Sequence, residues 1–214
     1  IKDYMYIPEI FQIKDLSVIE KFIHENGFAT IISKGDTYPL ATHIPLELTT
    51  KKEGQKVLWG HIAKANLQGK DIEKNPVVLA IFMSPLHSYI SSSWYFHENA
   101  PTWNYMSVHV TGTAKIMEEK ELWESVSGLT KHYEKASEHP VSLEGISAAT
   151  KKQMKYITGI EIAIHKMEAA FKLSQNRNQK DFENILHQLR KQGNAISHLL
   201  ADAMEQQSRI QLSD

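Results

Sequence analysis

The sequence predicts an α+β protein in which a small antiparallel β-barrel carries helices on its outside. Two observations point there. Several short strand-like runs follow one another in hairpin succession, and helical runs interrupt that series at a few places. One stretch, Ala100 to Ile116, opens with two aromatics flanking an amide and settles into alternation from Met106. Met106, Val108, Val110, Gly112, Ala114 and Ile116 are apolar or small, while Trp103, Tyr105, Ser107, His109, Thr111, Thr113 and Lys115 are polar or aromatic. Side chains of a strand alternate between faces, so one face of this strand belongs to a core. The other is rich in groups that stack or hydrogen-bond, and suits a ligand or a second subunit.

The elements follow in order. Leu16, Ile19, Phe22 and Ile23 recur at helical spacing, with Ser17 and Glu20 as a capping box and Gly27 as the stop. Phe28 to Ser33 reads as a strand and Lys34-Gly35-Asp36 as a hairpin turn. Tyr38 to Leu48 reads as one strand in which Pro39 and Pro45 mark edges or bulges. Val57 to Ala63 is the next, with Trp59, His61 and Ala63 sharing a face. Asn66 to Glu73 reads as a short helix or turn ended by Asn75-Pro76. The continuous apolar run Val77 to Met83 predicts a fully buried strand. After the Thr102–Ile116 strand, Glu118 to Lys135 is helical, Pro140 breaks it, and a second helix is expected from about Ser142 to Ile157. Ile160, Ile162 and Ile164 then alternate in a strand that continues toward Ser174. From Asn178 the chain is helical, with Phe182, Leu189, Ile196 and Ala203 seven apart and Gln192-Gly193 interrupting the stripe. The expected organisation is one domain over 5–177 with a helical insertion at about 118–157, then a C-terminal helix over 178–210 packing on the barrel or a partner.

The totals exclude several classes of function. Lys and Arg number 24 against 25 Asp and Glu, so no global field steers the chain toward nucleic acid or an anionic membrane. With no cysteine there are no disulfides, thiolate metal sites or cysteine nucleophiles. The longest apolar run is too short to span a bilayer, and no leader opens the chain, so the expected location is the cytoplasm, with no membrane partner. Met5 reads as a natural start, which makes residues 1–4 an upstream extension or an appended remnant.

Five segments carry a specific resemblance: Ala41-Thr42-His43-Ile44-Pro45-Leu46, Gly60-His61-Ile62-Ala63-Lys64-Ala65-Asn66, Tyr89-Ile90-Ser91-Ser92-Ser93-Trp94-Tyr95, Pro101-Thr102-Trp103-Asn104-Tyr105 and Lys172-Leu173-Ser174-Gln175-Asn176-Arg177. In this order they resemble the PaiB-type family of FMN-binding negative transcriptional regulators, known from sporulating bacilli. The likeness runs from about Met5 to Gln207. Lys64 stands where the family has arginine, Leu67 replaces a proline after Asn66, and Ser92 replaces one before Ser93-Trp94. The resemblance implies an antiparallel, Greek-key-like split β-barrel, usually a homodimer holding FMN at the subunit interface. It also implies repression of genes for extracellular proteases and sporulation.

FMN needs charge and N–H donors for its phosphate, polar contacts at the ring edge, and cover for the ring faces. His61, Lys64, Asn66 and Lys70 offer the phosphate a cation cluster at the start of a short helix, Lys70 foremost. A solvated lysine-rich loop is the alternative. Thr42 and His43 are placed for a ring edge, or form an ordinary polar strand face. Trp103, Asn104 and Tyr105 are candidates to cover and hydrogen-bond the ring, and the two aromatics equally suit a dimer interface. Asn104 falls on the inward phase of its strand, where an unpaired amide is costly. Gln175 and Arg177 close a polar set in which Arg177 suits a phosphate, with helix capping by Asn176 or Asn178 as the alternative for that segment.

Eleven histidines show no ligand spacing, so no metal site is expected. There is no nucleophile elbow, no Walker loop and no catalytic residue to name. No helix-turn-helix emerges, and promoter DNA as a partner rests on the resemblance alone. Two rival functions remain: a flavin-dependent oxidoreductase using NAD(P)H, and a haem-binding split barrel using His43 or His61.

Overall fold

The computed structural model describes residues 5–211, and the expectation for residues 1–4 lies outside them. A 3-10 turn, Glu9–Phe11, leads into β1 (Gln12–Ile13) and α1 (Leu16–Glu25). Then come β2 (Phe28–Ser33), β3 (Leu40–Pro45), β4 (Glu47–Thr50), β5 (Lys56–Ala63), α2 (Leu67–Lys74), β6 (Val77–Met83) and β7 (Ser88–Ile90). A 3-10 turn at Ser92–Trp94 precedes β8 (Thr102–Ile116) and α3 (Glu119–Glu134). The chain ends through α4 (Ala148–Lys151), a 3-10 turn at Lys152–Tyr156, β9 (Ile157–Lys172), α5 (Gln179–Lys191) and α6 (Ala195–Gln211). The strands form one sheet in the order β3-β2-β6-β8-β9-β5-β4, with β1 on β9 and β7 on β8. The registered pairs β1–β9, β2–β3, β2–β6, β4–β5, β5–β9 and β7–β8 are all antiparallel. This is the α+β, antiparallel class that the hairpin succession predicts.

The chain divides into two compact units, one of residues up to 19, 83–108 and from 168 onward, the other of 20–82 and 109–167. The second unit buries Ile23, Ile31, Leu58, Phe82, Val110, Ile160 and Ile162 completely or nearly so. The first unit buries Ile90, Val108, Leu173, Ile185, Leu189 and Leu200. Each such aliphatic side chain contributes about 1.5–3 kcal/mol of transfer free energy. β8 keeps most of the alternation read from sequence, with Asn104, Met106, Val108, Val110, Gly112 and Ala114 buried, but Ser107, assigned to the outward phase, is buried as well. Gly112 is fixed by contact, because a Cβ there would lie 2.4 Å from the Ala163 carbonyl oxygen and 2.7 Å from Ile162 Cγ2.

Several local expectations are corrected. α1 is capped by Asp15, whose Oδ1 accepts both the N–H and the hydroxyl of Ser17 at 2.8 Å, and Glu20 instead pairs with Lys56. The strand expected over Tyr38–Leu48 splits at Leu46, whose N–H goes to the Gly27 carbonyl at 2.8 Å. β6 is buried on one face only: Val78, Ala80 and Phe82 point inward, whereas Val77 is 68% exposed. Its continuous apolar run therefore marks a half-covered strand, not a doubly covered one. The helix expected at Ser142–Ile157 is limited to α4 and one 3-10 turn, since Ser147 caps a helix start by accepting the Thr150 N–H. Gly193, at φ +70, separates α5 from α6. The buried phase shifts there, and α6 buries Ser197, Leu200, Ala201 and Met204 while Ile196 and Leu199 are exposed.

Candidate functional site

In the second unit two of the five family-like segments, 41–46 and 60–66, meet around the start of α2. Asn66 caps this helix by accepting the Gln68 N–H at 3.0 Å, and its Nδ2 donates to Thr42 Oγ1 at 2.9 Å. One amide therefore joins β3 to a helix N-terminus, where backbone donors and the helix dipole favour an anion. The buried Gln68 amide donates to the carbonyls of Ile31 and Leu40 at 3.2 and 3.1 Å, which fixes α2 on β2 and β3. Asp71, one turn on, accepts from the Ser33 hydroxyl and from the Gly35 N–H at 3.0 Å. Those donors, the Ser33 hydroxyl first, hold its carboxyl below the usual carboxylate range. Gln68 and Asp71 were not singled out in the sequence; their i,i+3 spacing on α2 was the available signal.

His43 lies exposed on β3 with Nδ1 2.8 Å from Thr30 Oγ1. His61, half-buried on β5, has an Nδ1 atom without a hydrogen-bond partner among the described residues. Burial pushes its imidazole below the ordinary histidine value, so the ring is neutral at pH 7. The cation cluster does not converge. Lys70 lines a recess of about 340 Å3 with Asp36, Tyr38, Leu40, Leu67 and Lys74, whereas Lys64 lines a different one of about 980 Å3 beside α3.

The first unit holds the other candidates. Trp103 is 53% exposed on β8 and sits edge-on to Tyr89, with ring centroids 6.0 Å apart. Tyr105 is half-buried two residues on. Asn104, between them, is fully buried. Its Nδ2 donates to Ser174 Oγ at 3.0 Å and its Oδ1 accepts from the same hydroxyl at 3.1 Å, with Met204 Sδ 3.4 Å from Nδ2. The inward phase read from sequence holds for Asn104, whose amide is engaged by core partners. Gln175 is likewise engaged, accepting the Leu173 N–H at 2.7 Å and donating to the Phe171 carbonyl. Its amide closes the end of β9. The Arg177 guanidinium lies 4.8 Å over the Tyr95 ring, and its Nε has no partner among the described residues. Asn178 caps α5 by accepting the Asp181 N–H at 2.9 Å, as the helix-capping reading expects. Burial, then the nearby Arg177 charge, pushes the Lys172 ammonium down.

Sequence reading also missed a buried charge cluster. Glu161, 4% exposed, accepts from the Trp59 indole N–H at 2.9 Å and pairs with Lys51 at 3.0 Å and Lys115 at 3.6 Å. The β5–β9 register puts Trp59 directly opposite Glu161, and no local pattern announces that pairing. Among the described residues no three His, Asp or Glu side chains gather as a metal site, and no helix is long and apolar enough to cross a membrane.

Residues 5–166 match the family model described as "Putative FMN-binding domain". The chain is 38% identical over 209 residues to the Bacillus subtilis (strain 168) protein named "Protease synthase and sporulation protein PAI 2", covering 97% of this chain and 100% of that protein. An uncharacterized Emericella nidulans protein is 25% identical over 248 residues, covering 96% of this chain and 98% of its own. Among solved structures, the flavocytochrome Anf3 from Azotobacter vinelandii superposes with a TM-score of 0.61 at 14% identity, over 85% of this chain and 80% of its own. A FAD and haem binding protein from Mycobacterium smegmatis gives 0.59 at 13% identity, over 75% and 73%. At those identities the likeness speaks for the fold alone.

Proposed function

Because this chain belongs to the FMN-binding domain family, with FMN as its cofactor, we propose that it is a cytoplasmic, homodimeric flavoprotein acting as a negative transcriptional regulator of protease synthesis and sporulation. The regulatory part rests on the five-segment resemblance and on the full-length likeness to the Bacillus protein named "Protease synthase and sporulation protein PAI 2". The observation that carries the flavin site is the join of β3 to α2 by Asn66, close in the chain to a half-buried His61 whose Nδ1 has no partner among the described residues. In this reading the start of α2 and Lys70 hold the phosphate, while Thr42, His43 and His61 serve the ring edge. A buried ring nitrogen without a partner is costly, and a hydrogen bond from a ligand relieves that cost. When bound, FMN supplies two-electron redox chemistry. The chain's own groups bind and orient it, with no side chain acting as acid or base.

The dimer has its own support in the second unit. Phe28 and Val77 are 67% and 68% exposed, and the β2–β6 register aligns Ile32 with Leu79 and Thr30 with Ile81 on one sheet face. An apolar sheet face of this kind is typical of an interface. Substituting Phe28 with Lys should turn a dimer into a monomer by light scattering.

Visible absorbance during FMN titration tests the cofactor site. The wild-type protein should perturb and retain the flavin spectrum, and Asn66→Ala or His61→Ala should weaken FMN at least about tenfold, the loss of one good hydrogen bond or more. An unperturbed spectrum with excess FMN overturns the reading. Promoter fragments should then shift with sequence preference at moderate salt, whereas affinity that vanishes equally for all sequences refutes direct regulation.

A further inference from the structure

We propose that the recess bounded by α3, α4 and the 152–156 turn binds a nucleotide carrying two or more phosphates, at a site separate from that of the flavin. Five lysines line it, Lys64, Lys120, Lys151, Lys152 and Lys155, against a single carboxylate, Glu119. Among the described residues none of the five lies within ion-pair distance of a carboxylate. Lys151 Nζ instead donates to the Glu144 carbonyl at 2.8 Å and sits 5.8 Å over the Trp123 ring. Lys155 Nζ lies 4.8 Å over Tyr156. Concentrating like charges around one concavity is unfavourable by itself and raises the local concentration of anions. A single flavin phosphate would leave most of that charge uncompensated, whereas a di- or triphosphate matches it.

The floor of the recess identifies the rest of the ligand. Leu122, Trp123, Met154 and Ile157 make it largely apolar, and its volume of about 980 Å3 is that of a small-molecule site. Trp123 is half-buried with Lys151 Nζ 5.8 Å from its ring centroid, so an aromatic partner stacks on the indole by taking the place of that ammonium, which is then free for a phosphate. An aromatic base on Trp123 and a phosphate chain reaching the flexible lysines is the combination that uses every part of the lining. Lysine acts here as a mobile point charge that follows the phosphates without requiring bidentate geometry. Lys151, Lys152 and Lys155 are neighbours in sequence, at the end of α4 and in the turn after it, but Lys64 precedes α2 and Lys120 opens α3, and only the fold brings those two to the same rim.

Isothermal titration of the FMN-loaded protein with ATP, ADP and inorganic triphosphate at fixed ionic strength tests this. ATP should bind more tightly than triphosphate. Trp123→Ala should bring ATP down to the triphosphate level. Lys152→Glu with Lys155→Glu, both exposed positions, should weaken ATP and triphosphate more than tenfold while leaving the flavin spectrum and the melting temperature unchanged. Asn66→Ala should lose FMN and keep ATP, which separates failure of this site from failure of the flavin site. The proposal is overturned if wild-type protein does not bind ATP, if the double lysine variant binds it normally, or if FMN displaces it one for one. Duplex DNA that binds while ATP does not would refute it too, assigning the lysines to nucleic-acid phosphates.

Discussion

The Asn104–Ser174 pair yields a prediction with an internal control. Ser174 is 3% exposed and adopts φ 65, the left-handed region, where a side chain is tolerated only under constraint. Its hydroxyl exchanges two hydrogen bonds, at 3.0 and 3.1 Å, with an amide that is fully buried. Ser174→Ala leaves Asn104 Oδ1 without its donor and Nδ2 with only the weak Met204 Sδ acceptor, which costs about 1–3 kcal/mol. For a chain of this length each kcal/mol lowers Tm by about 2–4 °C, so a fall of roughly 2–12 °C is expected. Ser174→Gly loses the same hydrogen bonds but relieves a left-handed penalty of about 1–2 kcal/mol. Part of that gain, about 0.5–1 kcal/mol, is returned as the entropy of a freer unfolded chain. The net gain of about 0–1.5 kcal/mol should place the glycine variant above the alanine variant by up to about 6 °C. Calorimetry of both, with Asn104→Ala and the Asn104→Ala/Ser174→Ala double variant, completes a cycle whose coupling should be about 0.5–3 kcal/mol. An alanine variant as stable as wild type, or a glycine variant below alanine, refutes the reasoning.

Three further outcomes are expected. Gly112→Val places carbon against the Ala163 carbonyl, which has no freedom to withdraw, so the variant should lose at least about 3 kcal/mol in denaturant melts or fail to fold. Glu161→Gln keeps an acceptor for Trp59 but discards the charge facing Lys51 and Lys115, and should cost about 1–3 kcal/mol and shift the tryptophan emission. The Asp181 carboxylate accepts the Phe96 N–H at 2.8 Å and lies 3.1 Å from His97 Nδ1; the Phe96 donor chiefly holds its carboxyl below the ordinary range. A depressed folded pKa means the stabilisation is whole above the unfolded value of about 3.9 and is lost as pH falls through the folded one. Asp181→Asn should accordingly flatten the acid limb of Tm against pH, with amide exchange in residues 92–100 accelerated at neutral pH; an unchanged limb contradicts the assignment.

What the sequence made legible was whatever a short window contains. The alternation of β8, the inward phase of Asn104 and the cap at Asn66 each follow from spacing within one element. What it concealed depends on partners far along the chain. Lys64 and Lys70 are close in sequence yet line different recesses, because a strand end and a helix turn aim them differently. The apolar run of β6 cannot by itself say whether its second face meets a helix, a second subunit or water. Glu161 reads as the polar phase of its strand until Trp59, Lys51 and Lys115 are brought to it. The phase slip between α5 and α6 turns on one glycine, whose positive φ resets which residues of the next helix point inward.

α2 separates two kinds of constraint that most helices mix. Its inward residues, Gln68, Asp71 and Ile72, fasten it to β2 and β3, and two of the three do so by hydrogen bonds that tolerate little substitution. Its outward residues, Leu67, Lys70 and Lys74, hold nothing in place and line the adjoining recess. Change at the outward positions is therefore nearly free of folding consequence. A lineage can alter what this recess recognises by drift at three codons while the anchor stays fixed, which makes α2 a natural place for paralogues to diverge and for directed evolution to begin.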